Sequence, residues 1–218
     1  MRDAPDCLVS VFAKAPAPGL VKTRLIPRLG AAGAARFHDQ GVRRALDTAV
    51  AAAVGRVELC CAPDASDVYF QRLATARGVA LASQGEGDLG DRMWRTLARG
   101  VGQHRAAIII GADIPALTAR DLQDAAGALH GHDVVMAPAE DGGFVLIGVR
   151  TLPARLFAGI PWSSGEVMTR LRHNLAALGL STAELRTLWD VDRPDDYARA
   201  VAEGLVEEPS EPAGLDVE

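Results

Sequence analysis

Residues able to do chemistry are gathered in five short stretches of this sequence, most of them just after an apolar run. The first is Ala13-Lys-Ala-Pro-Ala-Pro-Gly-Leu-Val-Lys-Thr-Arg-Leu25. Gly19 and the prolines shape a wrapped loop, and Lys14, Lys22 and Arg24 supply cations that can converge on a polyphosphate. Composition points to the same loop. Of 23 basic residues only Lys14 and Lys22 are lysines, and a compact ammonium beside phosphates is a role in which Arg and Lys are not interchangeable. Chance placement on a solvated loop is the plain alternative.

The second stretch, Gln84-Gly-Glu-Gly-Asp-Leu-Gly90, contains the literal Gly-x-Gly-x-x-Gly of a dinucleotide turn. Against that use, Glu86 and Asp88 would face a pyrophosphate with two carboxylates, and the motif follows the third expected strand rather than the first. A loop whose backbone closely approaches a base or ribose fits Gly85 and Gly87 as well, and so does a tight turn. In the third, Ile108-Ile-Ile-Gly-Ala-Asp-Ile-Pro115, a buried strand runs into one carboxylate, Asp113, with Pro115 stiffening its exit. Thr118 is available to cap the next helix, which leaves Asp113 for a metal or ligand.

The fourth, Pro138-Ala-Glu-Asp-Gly-Gly-Phe144, sets Asp141 before the pair Gly142 and Gly143. It reads either as a pocket turn that aims carboxylates at a bound group or as a plain turn between antiparallel strands. The fifth, Asp190-Val-Asp-Arg-Pro-Asp-Asp196, holds four carboxylates. Asp195 or Asp196 suits the N-terminus of a helix begun by Pro194, which leaves Asp192 over. Carboxylates from two segments, completed by phosphate oxygens, are a usual way to hold Mg²⁺ or Mn²⁺.

Positioning these stretches requires an alternation of strands and helices. Strand patterns are expected at 7–12, 57–61, 79–83, 106–110, 134–137 and 144–149, with an edge strand at 186–188. Helical patterns are expected at 31–54, 66–77, 91–100, 118–129, 165–178 and 195–203. Strands separated by long helices need crossover connections, so the expected fold is α/β: a three-layer, Rossmann-like sandwich around a mostly parallel sheet. Ligands of such sheets bind outside the carboxyl ends of the strands, where the stretches above lie. No internal repeat or linker appears, so residues 1–206 are expected to form one domain and 207–218 a disordered acidic tail.

Other classes lose support. The net charge of −5 arises from six acids and no Lys or Arg after residue 199, and the remaining +1 offers no footprint for nucleic acid. No apolar run is long enough for a membrane span, and the first residues lack the pattern of a signal peptide, so a cytoplasmic protein is expected. Cys7, Cys60 and Cys61 lie in strand-like runs and read as buried thiols. The five histidines show no zinc spacing and mostly fall on polar helix faces or turns. Neither a Gly-x-Ser-x-Gly elbow nor a P-loop is present.

Taken together, Lys14…Pro18-Gly…Lys22-Thr-Arg-Leu25, Gln84-Gly-x-Gly-Asp-Leu-Gly90, Gly111-x-Asp-x-Pro115, Pro138-Ala-x-Asp-Gly-Gly143, Pro161-Trp-Ser163 and Asp190-Val-Asp192 resemble the DUF2064 family over residues 7–203. That family belongs to the nucleotide-diphospho-sugar transferases of the GT-A fold. It is similar to guanylyltransferases of cofactor F420 synthesis and to molybdenum-cofactor nucleotidyltransferases. The resemblance implies a GT-A sandwich, a nucleotide or nucleotide-sugar donor, a small-molecule acceptor and Mg²⁺ or Mn²⁺. It implies that Lys14, Lys22 and Arg24 hold phosphates and that Gln84, Gly85 and Gly87 line the nucleoside. Asp113 and Asp192 would hold the metal, and Asp141, Gly142, Gly143, Trp162 and Ser163 would form the acceptor side, with Asp141 as base or orienting group. Ala112, Phe144 and Arg193 replace hydroxyl-bearing residues frequent in the family. The expected function is that of a metal-dependent glycosyltransferase using a nucleotide-sugar donor, with nucleotidyl transfer releasing pyrophosphate as the first alternative, nucleotide binding without turnover as the second, and a redox role for the glycine motif behind them.

Overall fold

The structure is a computed structural model that describes residues 7–207. The expected tail, apart from Glu207, lies outside the described residues. A seven-stranded sheet in the order β3-β2-β1-β4-β6-β5-β7 forms the centre. Its strands are β1 (Cys7–Lys14), β2 (Gly55–Ala62), β3 (Ala80–Ser83), β4 (Ala106–Ile110), β5 (Val134–Pro138), β6 (Phe144–Val149) and β7 (Thr182–Glu184). All pairings are parallel except those of β6, which runs against both β4 and β5. The expected mostly parallel α/β sandwich is therefore the observed one.

Burial on both faces explains the composition of the central strands, because a strand covered on two sides has no position for a polar alternation. Along β4, Ala106, Ile108 and Ile110 join one core while Ala107 and Ile109 join the other. The first core lies beneath α1 (Ile26–Ala52), α2 (Val68–Arg77) and α4 (Ala119–Ala128). The second lies beneath α3 (Leu89–Gln103) and α5 (Val167–Ala177). Cys7, Cys60 and Cys61 are buried, and burial pushes the Cys61 thiol up to about 12. Buried Glu58 of β2 is bonded by Ser10 Oγ at 2.7 Å and by Arg99 of α3, so its charge is not left alone in the core.

A third, smaller core matters most for function. Leu25, Ala34 and Phe37 from the start of α1 pack against Trp189, Val191, Tyr197 and Ala200, which precede or belong to α6 (Pro194–Ala202). It clamps the β1–α1 connection to the segment before α6. Two departures from the expected elements fall nearby. Helix α1 is interrupted at Gly30, whose φ of 69° and ψ of 166° turn the chain between a short first limb and the long Ala-rich one. The expected edge strand at 186–188 is instead at Thr182–Glu184, and Leu188 makes only an isolated bridge to Ala139.

Arg186 explains the latter shift. Its guanidinium leaves the sheet edge to bond both carboxylate oxygens of Asp121, at 2.6 and 2.7 Å, and the Ala116 carbonyl. Asp121 also accepts from the backbone and hydroxyl of Thr118, completing a capping box on α4. Burial opposes the charge of Asp121, but these hydrogen bonds outweigh it and hold the carboxyl below its ordinary range. Asp121→Asn is therefore expected to cost about 2–4 kcal/mol at neutral pH in a denaturant titration. Because a lowered acid pKa stabilises only above its unfolded value, the gap to wild type should close as the pH falls below about 4.

Candidate active site

A cleft of about 1150 Å³ opens over the carboxyl ends of β1 and β4 and the start of β6. At its floor, the Lys22 ammonium donates to Asp113 Oδ2 and to Asp192 Oδ1, both at 2.7 Å. Three chain segments supply this contact: the β1–α1 loop, the exit of β4 and the stretch before α6. Backbone bonding fixes two of them to each other, since the Val191 N–H donates to the Asp113 carbonyl at 3.0 Å. Close packing fixes the third wall: a Cβ at Gly41 of α1 would collide with the Ala112 carbonyl, so only glycine lets the helix approach the Asp113 turn.

Asp190 completes the group. One carboxylate oxygen from each of Asp113, Asp190 and Asp192 can lie within 4.8 Å of the others. Burial, followed by repulsion from Asp113 and Asp192, pushes Asp190 up to about 6. Asp113 goes the other way: burial works against its charge, but Lys22 more than offsets this and holds it below the usual carboxylate range. Lys22 is itself raised, its burial being outweighed by the two aspartates. In sequence, Asp190 is one more acid in a crowded run. The available signal was its i, i+2 spacing from Asp192, which puts both side chains on one side of an extended segment.

The remaining cations sit around this floor. Lys14 lines the cleft, and Arg24, 63% exposed, bonds Asp192 Oδ2 at 3.1 Å. His38, expected on a polar face, is instead buried under the loop and contacts the Lys14 carbonyl through Nε2 at 2.9 Å. Burial lowers its pKa, so it adds no charge beside Lys14 and Lys22.

On the opposite wall, Gln84 is buried and lines the cleft, its Nε2 donating to the carbonyls of Ala13 and Cys60. Gly85 and Gly87 lie outside the lining; both have positive φ, 77° and 95°. Their turn is tied down by Arg95, which bonds the carbonyls of Gln84 and Glu86, while Asp88 caps α3 in a box with Asp91. That cap occupies the helix N-terminus that a dinucleotide pyrophosphate would need. Arg95 was not singled out in the sequence, where it is one arginine of a helical pattern.

Of the residues expected at the acceptor, Asp141, Gly143, Trp162 and Ser163 line the cleft and Gly142 does not; Gly19 of the lysine loop also lies outside the lining. Gly142, at φ 88°, packs on the backbone of Gly165, so the glycine pair here serves a close chain crossing. Asp141 Oδ1 accepts from the Gly143 N–H at 2.8 Å. Trp162 stands edge-on to Phe144 at 6.4 Å and lies against Gly90, where a Cβ would come 2.8 Å from the indole. Trp189 and Arg199, also unremarked in the sequence, form a cation–π pair at 4.2 Å, and Arg199 bonds Glu140.

The strain on Asp190 has a measurable sign. Its raised pKa means that the ionised form destabilises the fold, by an amount that grows between about pH 4 and 6 and is constant above. Without divalent ions at pH 7.5, Asp190→Asn should raise Tm by a few degrees, or about 1 kcal/mol, and the gain should vanish near pH 4.

Comparison with known proteins places the chain. No curated protein matches the sequence. Among solved structures, a protein of Desulfovibrio desulfuricans G20, provisionally described as a nucleotide-diphospho-sugar transferase, is 28% identical with a TM-score of 0.79, over 86% of this chain and 82% of that one. A CMP:2-keto-3-deoxy-manno-octonic acid synthetase in complex with CTP shares the fold at 14% identity and TM-score 0.57, over 92% and 100% of the two chains. So does a Mycobacterium tuberculosis glucosyl-3-phosphoglycerate synthase in complex with Mn²⁺ and UDP, at 14% and 0.54, over 92% and 77%. Residues 45–164, more than half of the sequence, match the family described as "Uncharacterized protein conserved in bacteria (DUF2064)", and the chain belongs to that family.

Proposed function

We propose that this protein is a metal-dependent transferase that takes the glycosyl group of a nucleotide sugar and passes it to a small-molecule acceptor. The observation that carries this reading is the meeting of Lys22, Asp113, Asp190 and Asp192 at the floor of one cleft. Its volume exceeds the usual range for drug-sized ligands and suits a nucleotide sugar with an acceptor beside it.

Asp113, Asp190 and Asp192 present hard oxygen donors, the chemistry preferred by Mg²⁺ and Mn²⁺, and two of them, Asp113 and Asp192, already accept a cation between them in the Lys22 ammonium. When bound there, the ion would offset the charge of the donor's diphosphate. Lys14, Lys22 and Arg24 would hold the phosphate oxygens, and Gln84 would contact the nucleoside. The aromatic faces of Trp162 and Phe144 suit the apolar side of a sugar ring. Asp141, whose Oδ1 is anchored by the Gly143 N–H, would orient the acceptor hydroxyl and take its proton. The acceptor oxygen bonds to the anomeric carbon as the bond from that carbon to the diphosphate oxygen breaks, and the electron pair leaves with the nucleoside diphosphate. Little covalent work falls to the protein, so rate would come from alignment and charge stabilisation.

One observation favours a second reading, nucleotidyl transfer from a nucleoside triphosphate. Lys14, Lys22, Arg24 and Arg92 all line the cleft, four cations that could be drawn to the oxygens of a triphosphate. Incubation with each nucleotide sugar and each nucleoside triphosphate, with Mg²⁺ or Mn²⁺, separates the two. Release of free nucleoside diphosphate from one nucleotide sugar is expected, and Asp113→Asn should lower kcat/KM by about 100-fold or more. Release of pyrophosphate from a triphosphate would instead establish the second reading. If no donor of either class raises Tm in the presence of metal, the proposal is wrong.

A further inference from the structure

The Lys22 ammonium stands where a divalent ion would have to stand. Its two bonded oxygens, Asp113 Oδ2 and Asp192 Oδ1, belong to residues of the three-aspartate group, and the side chain is only 8% exposed. A divalent ion takes carboxylate oxygens at about 2.1 Å. An ion on these same oxygens would therefore sit within a few ångströms of the ammonium nitrogen, in a pocket where water screens little. The two cations exclude each other.

The geometry also says which partner moves. Asp113 is fixed to the segment of Asp192 by the Val191 to Asp113 backbone bond, and the small core holds that segment against Leu25, so the backbone on every side is packed and the movable part is a side chain. Lys22 hangs on a flexible four-carbon stem from a loop, and its own backbone is left-handed, at φ 45° and ψ 44°, a conformation unfavourable for a residue with a Cβ. Lys14 and Arg24 line the same cleft and offer an anion a place next to the displaced ammonium.

We infer that Lys22 is an exchangeable place-holder, which holds Asp113 and Asp192 together in the empty enzyme and yields them to the metal when a polyphosphate arrives to receive its ammonium. The inference rests on the metal and nucleotide reading above. Metal alone must displace the ammonium with nothing to receive it, so it binds weakly. Metal and polyphosphate each tighten the other's binding, reciprocally. The cleft thus admits its ion together with the donor.

Mn²⁺ binding, followed by electron paramagnetic resonance without nucleotide, tests this in the wild type, Lys22→Gln and Lys14→Gln. Lys22→Gln is expected to bind Mn²⁺ about tenfold tighter or more. Lys14→Gln removes a cation of the same cleft that bonds neither carboxylate, and should change the affinity less than about threefold. Unchanged or weaker binding in Lys22→Gln, or an equal gain in Lys14→Gln, overturns the inference. A measurement on the wild type covers the case in which Lys22→Gln fails to fold. The chain has two lysines, so ¹³Cε-lysine labelling yields two side-chain signals. Mg²⁺ with inorganic pyrophosphate should move the Lys22 signal, whereas a Lys22 signal unmoved at saturation overturns the exchange. Absence of Mn²⁺ binding in every form would remove the metal reading as well. Equal binding by all forms would remove only the exchange and leave the transferase reading standing.

Discussion

One ammonium bonded to two carboxylates organises the functional end of this molecule. Three loops that do not otherwise share an element meet at Lys22, Asp113 and Asp192. Bringing two aspartates and a third, Asp190, into one half-buried pocket is unfavourable by itself, and the lysine offsets it. The cost that remains falls on Asp190, whose pKa is pushed up to about 6 by burial and by its two acidic neighbours. Such a site stores a demand for positive charge. Lys22 and the exposed Arg24 leave the three acids one negative charge in surplus, in keeping with the divalent-ion site proposed above.

The sheet supplies the rigid half of this arrangement. Burial of β4 on both faces leaves its carboxyl end no freedom, and Asp113 follows three residues later on a turn pressed against Gly41 of α1. The other half is held by the small core of Leu25, Phe37, Trp189, Val191 and Tyr197. Phe37 and Tyr197 meet edge to face at 5.5 Å, joining α1 to α6. Because this core is separate from the two that cover the sheet, the loops bearing Lys22 and Asp192 are stabilised as a unit beside it. With the backbone of both loops packed, the four-carbon stem of Lys22 is the part that could let its ammonium change partners.

Much of the architecture was legible in the residues. Strand–helix alternation with apolar runs such as Ala106–Ile110 demanded a doubly covered sheet, and Thr118 marked a helix start, whereas the capping role of Asp88 was hidden in a glycine turn. The edge strand was misplaced because nothing local reveals that Arg186 is drawn to Asp121, 65 residues earlier. The stretches of the site were legible too, since lysines in an arginine-rich chain and a lone carboxylate after a buried strand stand out at short range. Pairings were not. That Lys22 is shared by Asp113 and Asp192, that His38 is buried under the lysine loop, and that Arg95 ties down the glycine turn all depend on contacts across the chain. The glycines show the same limit: Gly85 and Gly87 shape their turn from outside the cleft, and Gly142 serves a crossing with Gly165.

These three aspartates are proposed to form a cation site that faces a phosphate site. Crystals grown with Mn²⁺ and a nucleoside diphosphate, measured at the manganese absorption edge, address it directly. One anomalous peak is expected among the carboxylates of Asp113, Asp190 and Asp192, with the diphosphate against Lys22 and Arg24. A diphosphate bound in this cleft with the manganese peak elsewhere, or with Lys22 still seated between the aspartates, would contradict it.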